Sequence, residues 1–213
     1  MLQALAAAGA LFLSSLTSPV SAPARLDPPP SDKMVVDVVA ANGSGCPAGT
    51  AYVLASPDNE VITVTYSEYI AQVGAGAPAN AFRKNCQLAM NVHVPQGYTY
   101  AIAKTDYRGY ARLQKGAWGY QQASYYFQGD SHTARSKHNF DGYMDGDWQT
   151  TDKVGIESLV WAPCGATRYL QINTELRVGV GSSDPKSNSQ LTMDSTDTKI
   201  STVLHLAWKK CGK

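Results

Sequence analysis

Glutamate is scarce in this sequence, with four glutamates beside thirteen aspartates in 213 residues. Aspartate is common in turns, whereas glutamate is a good helix former. No long stretch repeats apolar residues with the period of about 3.6 that marks an amphipathic helix. Both absences argue against a helical fold and favour one built from strands and turns.

An excess of charge of either sign is also missing. Lysine and arginine together number 18 and the two acidic residue types 17, so the formal net charge is +1. This balance gives the chain no overall attraction to DNA, RNA or anionic lipid, and we expect no nucleic-acid partner. After the first residues, no apolar run is long enough to cross a membrane. We expect a monomer without a membrane span.

Catalytic motifs are absent as well. The sequence contains no G-x-S-x-G nucleophile elbow, no H-E-x-x-H zinc site and no phosphate-binding glycine loop. Of the four histidines, His93 and His205 are predicted to lie on the polar faces of strands, and His132 and His138 fall in a polar segment predicted to be a loop. We assign no catalytic residue, and a function other than catalysis is favoured.

The first 24 residues, MLQALAAAGALFLSSLTSPVSAPA, carry no charged side chain. Their apolar core is too short for a membrane span and is followed by small residues of the A-x-A type, as in a secretory signal peptide. We predict a signal peptide over 1–24, an extended proline-rich leader over 25–33 and a single domain over 34–213. The protein should therefore be secreted and extracellular, and Asn42 in Asn-Gly-Ser is the candidate glycosylation site.

Four cysteines follow the leader: Cys46, Cys86, Cys164 and Cys211. An even number behind a signal peptide indicates two disulfides, for which three pairings are possible. The absence of C-x-x-C weakens a zinc or thioredoxin-like hypothesis. We expect the pairs Cys46–Cys86 and Cys164–Cys211. Each bond would close a loop of about 40 to 48 residues and stabilise the fold by about 3.5 to 4 kcal/mol.

Apolar and polar residues alternate through most of the chain. In CQLAMNVHV the apolar set is Leu88, Met90, Val92 and Val94, and LQINTELRV and KISTVLHLAW show the same period of two. This period is typical of strands with one buried face. Clusters of glycine, proline and asparagine separate about ten such segments. We predict an all-β fold: a single antiparallel two-sheet sandwich or jelly-roll-like domain.

The segment 91–116 combines four tyrosines with four basic residues. We expect YTYAIAK to return as the hairpin partner of the preceding strand, with Tyr98 and Tyr100 over the core. After a turn at TDYRG, the alternation places Arg108, Tyr110 and Arg112 on an exposed face. These three side chains form the candidate ligand-binding strip, and the alternative is an ordinary solvated outer face.

The segment DGYMDGDWQTTD places Asp141, Asp145 and Asp152 at the first, fifth and twelfth positions of an EF-hand-like calcium loop. Tyr143, however, stands where the third-position ligand is expected, and no helices are predicted on either side. An acidic surface loop is the simpler interpretation. Calcium bound by these aspartates is the one cofactor hypothesis that the sequence offers.

Several segments match a known family in order along the chain, among them NGSGCPAGTA, ITVTYSEYIAQVG, RKNCQLAMNVHVPQGYTYAIAKTDYRGYARL, NTELRV and LAWKKC. Together they resemble the domain-of-unknown-function 4360 family of small secreted proteins from filamentous fungi and actinomycetes. The resemblance implies secretion, paired cysteines and one β-rich domain. It brings no activity and no catalytic residues with it.

Three functions fit these observations. A non-catalytic extracellular binding protein, for cell-wall polysaccharide or another surface, is favoured by aromatic residues whose faces stack on sugar rings: Tyr110, Trp118, Tyr120, Tyr125 and Tyr126. The alternative for these rings is that they lie in the core. A protein-interaction module, such as a secreted inhibitor or effector, suits a compact disulfide-linked domain. A glycan hydrolase is the third hypothesis and needs two carboxylates about 5 to 10 Å apart.

Overall fold

The computed structural model describes residues 26–193 and 202–212. The predicted signal peptide lies outside these residues. Within them no helix is long and apolar enough to cross a membrane, and the chain forms twelve strands and one 3-10 turn. The elements are β1 (Val35–Asn42), β2 (Ala51–Ala55), β3 (Val61–Tyr66), β4 (Ile70–Val73), β5 (Arg83–His93), β6 (Tyr98–Leu113), β7 (Trp118–Phe127), β8 (Ala134–Asp141), β9 (Met144–Lys153), the 3-10 turn (Ile156–Ser158), β10 (Leu170–Gly179), β11 (Ser189–Thr192) and β12 (Thr202–Lys210).

Two antiparallel sheets enclose one core, which confirms the predicted all-β sandwich. The five-stranded sheet has the order β1-β5-β10-β7-β8. In the seven-stranded sheet, residues 104–107 of β6 pair with both β12 and β9, and residues 110–112 pair with both β11 and β9. Because a strand has two edges, β9 lies on one edge of β6, and β12 and β11 share the other. The strands β3 and β4 then pair with β12 and β11, and β2 completes the sheet against β3.

The alternation of the sequence explains which side chains build the core. Along β10 every second residue from Leu170 to Val178 is buried, and the residues between them are half-exposed. The strand β3 follows the same rule, with Ile62, Val64 and Tyr66 buried. Each fully buried leucine or isoleucine stabilises the fold by about 1.5 to 3 kcal/mol, so the register of these strands is strongly fixed.

The strand β6 corrects the prediction for the tyrosine-rich segment. The expected turn at TDYRG does not occur, since β6 continues from Tyr98 to Leu113. It is not the hairpin partner of β5 either, because β5 pairs with β1 and β10 in the other sheet. Tyr100 is buried as expected, whereas Tyr98 is only half-buried.

A β-bulge in β6 is the physical reason that the alternation changes without a turn. Two adjacent residues of β12 pair with Lys104 and Ile102, so Ala103 is left over between them. A bulge moves the side chains that follow it to the opposite face of the strand. Tyr100 and Tyr107 therefore both face the core, although one has an even and the other an odd position. In the sequence, the shift of the buried residues from even to odd positions looks the same as a turn between two strands.

The segment from 130 to 153 also differs from its prediction. His138, expected in a loop, lies in β8, and the expected acidic loop consists of the end of β8, a short connection and β9. His132 lies in the loop before β8, as predicted. The connection carries the chain from the five-stranded to the seven-stranded sheet, so β8 and β9 are edge strands of different sheets.

Both expected disulfides are present. The Cα atoms of Cys46 and Cys86 are 5.3 Å apart, and those of Cys164 and Cys211 are 5.9 Å apart. The first bond is buried and joins the turn after β1 to β5. In the second, Cys164 is exposed and Cys211 half-buried, and the bond fastens the end of β12 to the segment before β10.

Candidate functional site

On the outer face of the five-stranded sheet, the aromatic side chains of Trp118 and Tyr120 lie next to each other, and we call this pair the aromatic platform. Both lie on β7, where Gly119 and Gln121 between and after them are buried. The two ring planes are nearly parallel, at 16°, with centroids 6.2 Å apart. That spacing is close to two residues of a strand, about 6.6 Å, so the alternation of β7 sets the distance between the rings.

A glycine on the neighbouring strand lets the platform form. Gly179 of β10 pairs in register with Trp118. A Cβ atom on Gly179 would lie 2.3 Å from the indole Cε2, which is closer than real Cβ contacts come. The indole therefore lies across the backbone of β10, and its side chain remains 36% exposed to solvent. An aromatic ring that is held against a sheet and remains exposed is suited to contacting a ligand face.

Charged groups surround the platform. Glu175 on β10 accepts hydrogen bonds from the Tyr120 hydroxyl at 2.6 Å and from Arg83 Nε at 2.8 Å. Burial raises the pKa of Glu175, but the hydrogen bonds from Arg83 and Tyr120 outweigh burial and lower it overall. The Lys137 ammonium lies 4.1 Å from the Tyr120 ring centroid, and the Arg177 guanidinium lies 6.0 Å from the Trp118 ring centroid. A ligand on the rings would thus meet hydrogen-bond donors and the Glu175 carboxylate at their rim, and Asp141 is in register with Trp118 on the neighbouring strand β8.

The strip predicted from the sequence lies on the outer face of the seven-stranded sheet. Arg108 and Arg112 are exposed, as the alternation predicts, whereas Tyr110 is half-buried. Their polar groups already have partners: the Tyr110 hydroxyl donates to Asp145, and Arg108 Nε donates to Gln149 at 3.1 Å. Arg112 lines a polar cavity of about 220 Å³ with Gln72, Asn188 and Gln190. A ligand role for these three residues stays a prediction.

The remaining aromatic candidates divide between core and surface. Tyr125 is buried, and its hydroxyl is hydrogen-bonded to that of Tyr107 across the two sheets. Tyr126 is half-buried on the outer face, on the same side of β7 as the platform. Tyr125 thus belongs to the core, the alternative that the sequence left open.

The three aspartates of the calcium hypothesis do not converge. Asp145 is exposed on the outer face of β9, whereas Asp152 lies on the inner face and pairs with His138 at 2.8 Å. Asp141 ends β8 in the other sheet. In residues 26–193 and 202–212, no group of three or more His, Cys, Asp or Glu side chains is placed to hold a metal ion. Asn42, the candidate glycosylation site, is exposed at the end of β1.

A cavity that sequence reasoning missed opens between the edge strands β8 and β9, and we call it the edge cavity. Its volume is about 250 Å³, and its walls come from both sheets and from the segment after β9. Asp152 is the one carboxylate among its lining residues. The signal available in the sequence was ARSKHNFD, in which Ala134, Ser136, His138 and Phe140 alternate with polar residues. That pattern predicts a strand, but it does not reveal which strand of the other sheet lies opposite.

Comparison with known proteins shows the family to which this chain belongs. Residues 32–211 match the family described as "Domain of unknown function (DUF4360)", so the chain belongs to this family, as its resemblance predicted. A curated relative from Arthroderma benhamiae, described as "Uncharacterized secreted protein", is 37% identical over 183 residues, which are 86% of this chain and 74% of that protein. The chain is a secreted protein, and its two disulfides suit an oxidising extracellular environment.

Proposed function

We propose that this protein binds extracellular polysaccharide without cleaving it, and that the aromatic platform is the binding surface. The observation that supports the proposal is the nearly parallel pair of Trp118 and Tyr120 lying over β10, where Gly179 gives the indole room. Flat aromatic faces bind the apolar face of a sugar ring by removing its C–H groups from water. Hydroxyl groups at the ring edge would then meet Arg177, Lys137 and Glu175.

The absence of a second carboxylate in the edge cavity favours binding over hydrolysis. Glycoside hydrolysis by the common mechanism needs two carboxylates about 5 to 10 Å apart, and Asp152 alone lines that cavity. On the platform face, Glu175 and Asp141 lie on opposite sides of β7, in register with Gln122 and Trp118. That offset is about 13 Å along the strand alone, which is more than the required separation. Neither surface thus offers the pair of acid groups that a hydrolase would use.

The test is retention of the secreted protein on insoluble chitin, cellulose and a branched β-glucan. Trp118→Ala should weaken retention at least tenfold, because aromatic residues that anchor a ligand contribute about 2 kcal/mol or more, and ~1.4 kcal/mol is a factor of ten. Tyr120→Phe keeps the ring but loses the bond to Glu175, so it should retain most of the binding. Tyr110→Ala, an aromatic residue on the opposite sheet, is the matched control.

Tryptophan fluorescence provides a second readout that does not depend on a variant. Trp148 and Trp208 are buried and Trp161 is half-buried, whereas Trp118 is exposed. A soluble oligosaccharide on the platform should therefore protect the exposed indole from quenching by acrylamide. If Tyr110→Ala loses retention and Trp118→Ala keeps it, the binding surface is the Arg108–Tyr110–Arg112 strip. If the unmodified protein binds no polysaccharide, the protein-interaction hypothesis takes precedence.

A further inference from the structure

The edge cavity has a different character from the aromatic platform. It lies inside the sandwich, between the inner faces of the two sheets, and opens where β8 and β9 are the last strands of their sheets. Its walls include the apolar side chains of Ile102, Phe127, Val160 and Leu170. At about 250 Å³ it is larger than the apolar cavity of about 150 Å³ that holds benzene in an engineered protein.

Two cations line the same cavity from the two sheets. Arg135 of β8 and Lys153 of β9 are among the lining residues, and both are exposed at the outer surface. Within the described residues, neither forms an ion pair, whereas Lys104 and Arg83 do. The carboxylate of Asp152 faces inward and is paired with His138 at 2.8 Å. The opening therefore carries positive charge, and the interior is mainly apolar.

We propose that the edge cavity binds a small carboxylate amphiphile, with its hydrocarbon tail inside and its carboxylate at the opening between Arg135 and Lys153. Burial of the tail supplies the attraction, at about 0.8 kcal/mol for each methylene removed from water. The two cations add a charge-assisted interaction with the head group. This site lies apart from the platform, and the proposal does not depend on polysaccharide binding.

Three probes of equal chain length test the head group: hexanoate, 1-hexanol and hexylamine, each titrated by calorimetry. The expected order of affinity is hexanoate, then hexanol, then hexylamine, because only the carboxylate complements the two cations. Butanoate should bind more than tenfold more weakly than hexanoate, because two methylenes contribute about fourfold each. An order led by hexylamine would place the head group at Asp152 and overturn the proposal.

The double variant Arg135→Gln and Lys153→Gln should reduce the preference for hexanoate over hexanol about tenfold, and added salt should have a similar effect. The pair Lys115→Gln and Lys186→Gln, two exposed lysines outside the cavity lining, removes the same charge and is the matched control, which should change nothing. Val160→Phe should fill the cavity and weaken all three probes.

Methyl resonances of the unmodified protein give a readout that needs no variant. Hexanoate should shift the methyl signals of Ile102, Val160 and Leu170 and leave those of Val203, outside the cavity lining, unchanged. Absence of shifts at the three lining residues at saturating probe, or equal shifts over the whole surface, would contradict the proposal even if Val160→Phe failed to fold.

Discussion

The indole of Trp208 donates a hydrogen bond to the backbone carbonyl of Asn59 over 2.9 Å, and both residues are 2% exposed. The side chain of the same asparagine holds the described part of the leader. Its Oδ1 accepts from the backbone N–H of Met34 at 2.8 Å, and its Nδ2 donates to the carbonyls of Pro30 and Asp32. Asn59 thus connects the leader, a turn of the seven-stranded sheet and the last strand, β12.

A single substitution of Asn59 should therefore lower the free energy of unfolding markedly. Asn59→Ala would leave a buried N–H and buried carbonyls without partners, and each such group costs about 1 to 3 kcal/mol. Its φ of 61° is also in the left-handed region, which glycine adopts more readily than alanine by about 1 to 2 kcal/mol. In urea unfolding, the free energy of unfolding should decrease in the order wild type, Asn59→Gly and Asn59→Ala.

The exposed Asn139 of β8 provides the control for this series. Asn139→Ala should change the free energy of unfolding by less than about 0.5 kcal/mol. Equal stability of Asn59→Ala and the wild type would show that the leader and β12 do not depend on this residue.

The two disulfides should respond differently to reduction. Cys46 and Cys86 are 0% and 1% exposed, whereas Cys164 is exposed, and reduction by a thiol requires access to the sulfur. Under mild reductant without denaturant, alkylation and peptide mapping should find Cys164 and Cys211 labelled first. Labelling of all four cysteines at one rate would instead indicate that reduction follows global unfolding.

The sequence allowed good predictions where periodicity is local. The strand β10 alternates without interruption, and its buried residues are those expected from LQINTELRV. The disulfide pairs were also predicted correctly, and Arg108 and Arg112 are exposed as expected, although Tyr110 is half-buried. In each case the information lies within about ten consecutive residues or in a small number of possible pairings.

The errors concern relations between distant strands. The bulge at Ala103 exists because β12 pairs with β6 in a register that no local pattern records. In the same way, Trp118 was recognised as an aromatic candidate, but its position over Gly179, 61 residues later, depends on the pairing of β7 with β10. The edge cavity depends on which strands end each sheet. Such long-range pairing is decided by the whole core and not by any one segment.

Acid should weaken the outer face of the seven-stranded sheet through Asp106. Burial alone would raise its pKa, but hydrogen bonds from Lys104, Thr151 and His205 outweigh burial and lower the pKa from 3.8 to about 2. A carboxyl group whose pKa is lower in the folded than in the unfolded chain stabilises the fold at any pH above its unfolded pKa. This stabilisation is lost as the pH falls from about 4 to about 2. Asp106→Asn should therefore be less stable than wild type at pH 5, on the order of 1 kcal/mol.

The difference in the free energy of unfolding between Asp106→Asn and wild type should become smaller as the pH is lowered. Denaturant midpoints at pH 5, 4, 3 and 2 measure this narrowing, with the unchanged m-value as a check that the unfolded states are comparable. A difference that stays constant over this range would mean that the asparagine variant is destabilised by its shape and not by the loss of charge.

Gly179 provides a way to disturb the aromatic platform without touching an aromatic residue. Alanine at this position would place its Cβ 2.3 Å from the Trp118 indole, so the ring has to move away from β10. Alanine in a strand also avoids the backbone entropy cost of glycine, about 0.5 to 1 kcal/mol, which offsets part of the lost packing. We expect Gly179→Ala to change stability by less than about 1 kcal/mol, to increase quenching of Trp118 by acrylamide and to weaken retention on polysaccharide.

Gly146→Ala in β9, where nothing lies within 4 Å of the added Cβ, is the matched control and should leave quenching and retention unchanged. If Gly179→Ala increases quenching but leaves retention intact, the orientation of Trp118 is not what binds the polymer, and the Tyr110 strip becomes the surface to test next.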